Sequence, residues 1–310
     1  MPKRLKPPPP KSAGSGAAGE PDLPSLFELE RFNTASLNQW LTAAKRLEAL
    51  NRALYFGLEP LRQKDSARLV DAVRSSTQNN FSVDDWSRVV DYRYSLEPLS
   101  LAGSVKNDGG RFNIGAALSP GSFTPFPALY LADDYPTALL ERFGFIKGSK
   151  HPGLTAEDLA LRKPNSFAQV RVRGLLENVL DVGDLAALRP IVDIIKEFRL
   201  PKAVLQTSRK LGLRQGPWLV RSVNTLQRQL LQPNWRMLPA QFDLPSNSQI
   251  FGRLASAAGV HGILYPSARD SAHQCLALFP QNWSGSVSFI EVADVVPEEA
   301  RMTRIDGAAT

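Results

Sequence analysis

The spacing of apolar residues first changes from a helical to a strand period near Trp86 in this 310-residue chain. Before that point Leu37, Trp40, Leu41, Ala44, Leu47 and Leu54 recur at three- and four-residue intervals, which puts them on one face of a helix. A second helix is predicted over Ser66–Arg74, with Leu69, Val70 and Val73 inward. Beyond Trp86 the period is two: Val90, Tyr92 and Tyr94 share one face of a predicted strand, and Asp91, Arg93 and Ser95 the other. Strands are then expected at 128–132, 167–172, 263–265, 274–279 and 286–292, and helices at 136–143, 185–198, 217–231 and from Ser246 or Ser248 to Gly259. The 185–198 helix is expected to be interrupted by Pro190. With no internal repeat and an irregular alternation, the fold class is α+β, not a doubly wound sheet.

Composition narrows the function classes. At 43% hydrophobic and 22% charged residues the balance is that of a soluble globular chain, long enough for one large domain or two modest ones. No apolar run reaches the roughly 18 residues that a membrane helix needs. The basic start, MPKRLKPPPPK, is followed by prolines and not by an apolar segment, so a secretory signal is not expected. A single cysteine, Cys275, excludes an internal disulfide or a cysteine-cluster zinc site, and its apolar strand marks it as a buried, inert thiol. The three histidines, His151, His261 and His273, lack metal-ligand spacing, and no serine sits in a nucleophile elbow. The chain is therefore expected to be cytoplasmic, with no metal. Its 37 basic and 30 acidic residues leave a net charge of +7, spread along the chain and densest at Lys3, Arg4, Lys6 and Lys11. Such an excess suits an anionic ligand or weak nucleic-acid contact and singles out neither.

Four domain segments are expected. Residues 1–24 are rich in proline and small residues and read as a disordered tail. Residues 25–88 form a helical extension for packing or partner contact, 89–296 the functional domain, and 297–310 a terminal tail.

Four polar features can carry chemistry, each with a plainer alternative. Arg93 is either a solvated strand residue or a guanidinium fork for phosphate. Gly109-Gly110-Arg111-Phe112-Asn113 is either an ordinary hairpin turn or a place where backbone and Arg111 approach a ligand; it is not a dinucleotide or Walker glycine pattern. Tyr130 precedes Glu141 by eleven residues across a strand, a turn and a helix opened by Asp133 or Asp134, so one cleft can hold both. Ser246-x-x-Gln249 reads as a helix cap, and Tyr265-Pro266-Ser267 as a turn at a strand end.

Taken in order, Tyr92-Arg93-Tyr94, Gly109-Gly110-Arg111-Phe112-Asn113, Ala128-Leu129-Tyr130-Leu131-Ala132-Asp133 with Glu141, and Gly262-Ile263-Leu264-Tyr265-Pro266-Ser267 resemble the RES domain family, over about residues 88–295. Two departures are visible: Phe112 stands where the family's glycine turn has tryptophan, and the chain is longer than a compact member. The resemblance implies an ADP-ribosyltransferase-like fold, a pair of small packed sheets with a cleft between them. It implies an enzyme, the toxin of a toxin–antitoxin pair, that takes NAD as substrate and cleaves its nicotinamide–ribose bond. The acceptor is then water, inorganic phosphate or a target protein, giving a glycohydrolase, a phosphorylase or a mono-ADP-ribosyltransferase. Arg93, Glu141 and a serine, Ser246 or Ser267, are the implied catalytic residues, with Arg93, Tyr94, Arg111, Tyr130 and Gln249 contacting NAD. The implied protein partner is a Xre-type antitoxin, and neither membrane nor direct DNA contact is expected of the chain itself. The alternative reading is a non-catalytic module that binds nucleic acid or protein.

Overall fold

A computed structural model describes residues 34–118, 121–143, 167–211 and 219–308. The chain divides into two units, one ending at Leu47 and the other running from Glu48 to Thr310. The first contributes the start of α1 (Thr34–Lys64), where the Thr42 hydroxyl donates to the Asn38 carbonyl at 2.7 Å. In chain order the second adds α2 (Ser66–Arg74), β1 (Phe81–Asp91), β2 (Gly109–Gly110), β3 (Asn113–Ile114), β4 (Leu129–Ala132), α3 (Tyr135–Phe143), β5 (Phe167–Leu176) and β6 (Val179–Asp181). Then come α4 (Leu185–Ile195), α5 (Lys202–Lys210), α6 (Val223–Leu230), α7 (Met237–Phe242), α8 (Asn247–Ala257), β7 (Gly262–Pro266), β8 (Gln274–Leu278), β9 (Phe289–Val292) and β10 (Arg304–Asp306).

Mixed α and β is what the change of period requires, but the expected pair of small sheets is not what forms. One eight-stranded sheet has the order β10-β9-β5-β1-β4-β8-β7-β6, and β2 and β3 make a separate two-stranded hairpin. Neighbours run antiparallel except β6 and β7. The halves of the large sheet meet through one residue pair, Ser87↔Ala132 between β1 and β4. On its other edge β1 pairs with β5 all the way to Asp91↔Phe167, so past Ser87 it stays with β5 and leaves β4.

Period-two burial builds a core on each face of the sheet. Ile263, Tyr265, Cys275 and Ala277 pack with Leu69 and Val73 of α2, Leu188 and Ile191 of α4, Leu226 of α6 and Phe251 of α8. Their strand neighbours Leu264, Leu276 and Leu278 face the other way, with Trp86, Leu131, Val172, Trp283 and Ile290. Ser246 opens α8 with a full capping box: its hydroxyl accepts from Gln249 N at 3.2 Å and its own N–H donates to Gln249 Oε1 at 3.0 Å.

Four expectations need correction. The strand read over Val90–Ser95 stops at Asp91, and Tyr92–Tyr94 is a 3₁₀ turn, so Arg93 is not on a strand face. The alternation of the sequence continues into the turn, and period alone cannot show where the strand ends. Within 25–88, β1 already begins at Phe81, and α2 belongs to the core because its Leu69 and Val73 are buried there. Residues 297–310 are not merely a tail: Arg304–Asp306 is an edge strand on β9, held by Arg304–Glu291 at 2.6 Å, and three residues are too short to announce themselves. The 185–198 helix is α4; it passes through Pro190 and ends at Ile195. The tail read over 1–24 lies outside the described residues, as does His151.

Gly252 sets the fit between α8 and the β2–β3 hairpin. A Cβ at this position would run into the Phe112 carbonyl oxygen, and that obstacle is backbone. Alanine is worth about 1 kcal/mol more than glycine inside a helix, yet the overlap forces hairpin and helix apart. Gly252→Ala is expected to cost about 1–3 kcal/mol net in urea unfolding; an unchanged or raised midpoint would contradict the close approach.

Candidate active site

The cavity opens where β1 and β4 part. It encloses about 430 Å³ and is walled by Ser87–Asp91 of β1, Tyr130–Ala132 of β4, Tyr265 and Cys275 of the neighbouring strands, the hairpin glycines with Arg111, and Glu141 of α3. That volume is in the range of small-molecule sites. Its walls carry six basic side chains, Arg88, Arg93, Lys106, Arg111, Arg142 and Arg236, against three acidic ones, Asp91, Glu97 and Glu141. The balance suits an anionic ligand.

The hairpin is held from two sides. Gly109 takes φ +88°, a conformation that favours glycine, and lets the chain fold back so that Gly110 pairs with Asn113. Buried Asn113 accepts at Oδ1 from Gly110 N and from the Tyr130 hydroxyl, both at 2.9 Å, and donates to the Ser104 and Phe126 carbonyls at 2.8 and 3.0 Å. The Tyr130 hydroxyl also accepts from Phe112 N at 2.9 Å, and burial pushes its pKa up, so it stays a neutral bridge. From α8, Gln249 Nε2 lies within hydrogen-bond reach of the carbonyls of Asp108 at 2.7 Å, Asn113 at 3.1 Å and Gly110 at 3.2 Å.

This anchoring delivers Arg111. Its side chain is 3% exposed, and Nη1 donates to the carbonyls of Gln232 at 2.9 Å and Leu230 at 3.4 Å. Nε and Nη2 have no partner among the described residues. A buried guanidinium with unmade hydrogen bonds is costly, and an anion in the cavity would supply them. Arg236, stacked 4.7 Å from the centre of the Trp235 ring, adds a second charge there; burial first, and then Arg111, pull its pKa down, while Glu141 opposes. Arg88 on β1 is similar: Nη2 donates to Ser100 O at 2.8 Å, Nη1 has no described partner, and burial with the charge of Arg142 brings its pKa to about 10.

Glu141 is fixed from the strand-end turn after β7. Its Oε1 accepts from the Ser267 hydroxyl at 2.7 Å and from Ala268 N at 3.1 Å. Ser267 is itself locked, since its oxygen also accepts from Arg269 N at 3.1 Å and Asp270 N at 3.2 Å. Asp134 caps α3 by accepting from Thr137 N at 2.8 Å, which orients the helix that carries Glu141. At the rim, Arg93 is 62% exposed, 4.8 Å from the centre of the Tyr94 ring and 3.4 Å from Asp91.

The structure thus brings Arg93, Tyr94, Arg111, Tyr130 and Glu141 to one cavity, with Ser267 behind Glu141. Ser246 and Gln249 are not among the residues lining it. Ser246 is 2% exposed and spends its hydroxyl on the α8 cap and on Ser248 Oγ at 3.0 Å. Gln249, fully buried, clamps the hairpin instead of facing a ligand. Arg88 and Arg236 are site components that the sequence did not single out, and Asn113, named there only as part of the glycine turn, proves to be its anchor. Asn113 was within reach, because a buried asparagine next to paired glycines is a natural turn anchor. Nothing local marks Arg88 or Arg236. Asp133, Asp134 and His273 also gather, with ligand atoms within 4.8 Å of one another, though both carboxylates serve the backbone, Asp133 at Gln274 N and Asp134 at Thr137 N.

The RES domain model matches residues 85–297, more than half of the chain. The chain belongs to the RES domain family. No curated protein matches it. Among solved structures it is similar to the MbcT–MbcA toxin–antitoxin complex of M. tuberculosis, at 16% identity and a TM-score of 0.42, covering 74% of this chain and 91% of that one. No helix of the described residues is long and apolar enough to cross a membrane.

Gln249 tests the anchoring directly. Gln249→Leu strands three carbonyls and the Ser246 N–H, and is expected to cost about 2 kcal/mol or more. Loss of ligand affinity at full stability would instead assign Gln249 to ligand contact.

Proposed function

We propose that this RES domain protein is an enzyme that consumes NAD, breaking the nicotinamide–ribose bond, and acts as the toxin of a toxin–antitoxin pair. The observation that carries this reading is one cavity holding both a buried arginine with unmade hydrogen bonds and a carboxylate fixed by a serine. Family membership supports the same substrate.

Each residue type has a part in such chemistry. Arg111, with Arg236 beside it and Arg93 at the rim, holds the diphosphate and fixes the sugar. Tyr94 and Tyr130 offer ring faces to the ribose and nicotinamide. Loss of nicotinamide passes through a sugar cation, as glycoside hydrolysis does. Nicotinamide leaves neutral, taking the bonding pair to its ring nitrogen, so no general acid is required. Glu141 stabilises the developing positive charge and orients the ribose hydroxyls, and Ser267 acts on Glu141 as a positioning residue. Cys275 takes no part, because burial pushes its thiol pKa up and keeps it protonated. Water, inorganic phosphate or a protein side chain then takes the ADP-ribose. The partner in this reading is an antitoxin, of Xre type, that silences the enzyme by covering the cavity.

Purified protein incubated with NAD, with and without phosphate, is expected to release nicotinamide, and the second product identifies the acceptor. Glu141→Gln is expected to lower kcat by about 10²-fold or more with little change in KM. Equal turnover in wild type and Glu141→Gln would contradict the mechanism, and intact NAD after prolonged incubation would contradict the activity.

A further inference from the structure

The charge that looks diffuse along the sequence is gathered on one helical layer away from the cavity. The described residues between 185 and 231 include eight basic and two acidic ones, an excess of six in a chain whose net charge is +7. Arg189 and Lys196 lie seven residues apart on and just beyond α4, and Arg221 and Arg228 seven apart across α6, so each pair shares a helical face. All four are exposed, and so is Arg199.

Contacts between the helices show that these faces adjoin. At one end the Arg221 guanidinium donates to the Lys196 carbonyl, to which Arg199 also donates at 3.3 Å. At the other, Gln227 Nε2 donates to the carbonyls of Val182 and Gly183, at 3.0 and 3.1 Å, just before α4 begins. The helices are therefore antiparallel, with Lys196, Arg199 and Arg221 at one end and Arg189 and Arg228 at the other, about 10 Å or two turns away. Three of the acids nearby are engaged elsewhere, Glu197 with Arg68 at 3.1 Å and Asp181 and Asp184 with the N–H groups of Gly183 and Ala186. Asp193 pairs with Lys196 of this face at 2.5 Å, an exposed ion pair of the weak surface kind. None of the four arginines has a carboxylate partner among the described residues.

We propose that α4 and α6 form a docking face for the phosphate backbone of double-stranded nucleic acid. Arginine forks suit phosphate oxygens, and five cations spread over two turns suit a row of them. Among the described residues of α4 and α6 a single large apolar side chain is exposed, Leu185 at the first position of α4, so the face is mainly cationic where a protein partner would need an apolar centre. Among the described residues of α4 and α6 no aromatic ring is exposed, and single strands use such rings for stacking. Direct DNA contact was not expected while the charge was taken as diffuse; helix pairing is what concentrates it. This inference is independent of the NAD reading.

Fluorescence anisotropy of the full chain with a labelled 30-base-pair duplex of arbitrary sequence tests it. Affinity is expected to fall with salt at a log–log slope of about −4 to −5, corresponding to roughly five phosphate contacts. The triple variant Arg189→Ala, Lys196→Ala, Arg228→Ala is expected to flatten the slope by about three and weaken binding at least about tenfold at low salt. Its circular dichroism and Tm are expected to match wild type, and Arg189→Glu with Arg228→Glu serves as a second, charge-reversed variant. Absence of duplex binding at low salt overturns the proposal. So does binding that both variants leave unchanged, or preferential retention of polyglutamate, which would assign the face to an acidic protein.

Discussion

Three side chains from three elements converge on one short hairpin, and the cavity depends on that convergence. Tyr130 reaches it from β4, Asn113 from within it and Gln249 from α8, and together they satisfy backbone groups of Asp108, Gly110, Phe112 and Asn113. Two-residue strands cannot hold themselves in water, so the geometry is imposed by these neighbours. The clamp leaves Arg111 no freedom to reach solvent, and two of its nitrogens remain unpaired in a buried site. Such an arrangement persists when surrounding structure over-determines it, and it leaves two guanidinium nitrogens without a partner among the described residues at the wall of the cavity.

The second constraint is the parting of β1 from β4 after a single residue pair. A sheet that paired fully there would close the cavity with backbone hydrogen bonds. Instead β1 stays with β5, a 3₁₀ turn follows, and the space between the strands is lined by Arg88, Tyr130 and Glu141. The sheet face and the helix α3 then present cations and the Glu141 carboxylate to the same volume. Glu141 is held by Ser267 and Ala268 across a distance of more than a hundred residues in sequence, so the site is a product of tertiary structure.

What the sequence made legible follows from the range of each interaction. Local signals held: the apolar spacing of α2, the Ser246–Gln249 capping box, the short buried strand β4 and the Asp134 cap all act within a few residues. Where a strand ends is set by backbone conformation that side-chain alternation does not report, so the alternation through Tyr94 misled while β1 ends at Asp91 and turns into a 3₁₀ helix. Whether two groups of strands join into one sheet depends on a single long-range pair, invisible to periodicity. At the site, Arg111, Tyr130 and Glu141 were flagged by their neighbours in sequence. Arg88 and Arg236 were not, because their character comes from burial beside Arg142 and Arg111 and not from any motif. Gln249 and Ser246 show the converse: a capping signature is what it says it is, and both side chains are consumed by it and by the hairpin.

The central claim is that Arg111 is kept buried and incompletely paired for an anionic ligand. Calorimetric NAD titration of Arg111→Met, read beside its Tm, tests it most directly. Removing an uncompensated buried charge is expected to leave Tm equal or higher. The same change is expected to weaken NAD binding by at least about tenfold, the loss of one or more charge-assisted hydrogen bonds. A lowered Tm with NAD affinity intact would show that Arg111 is structural and contradict the account.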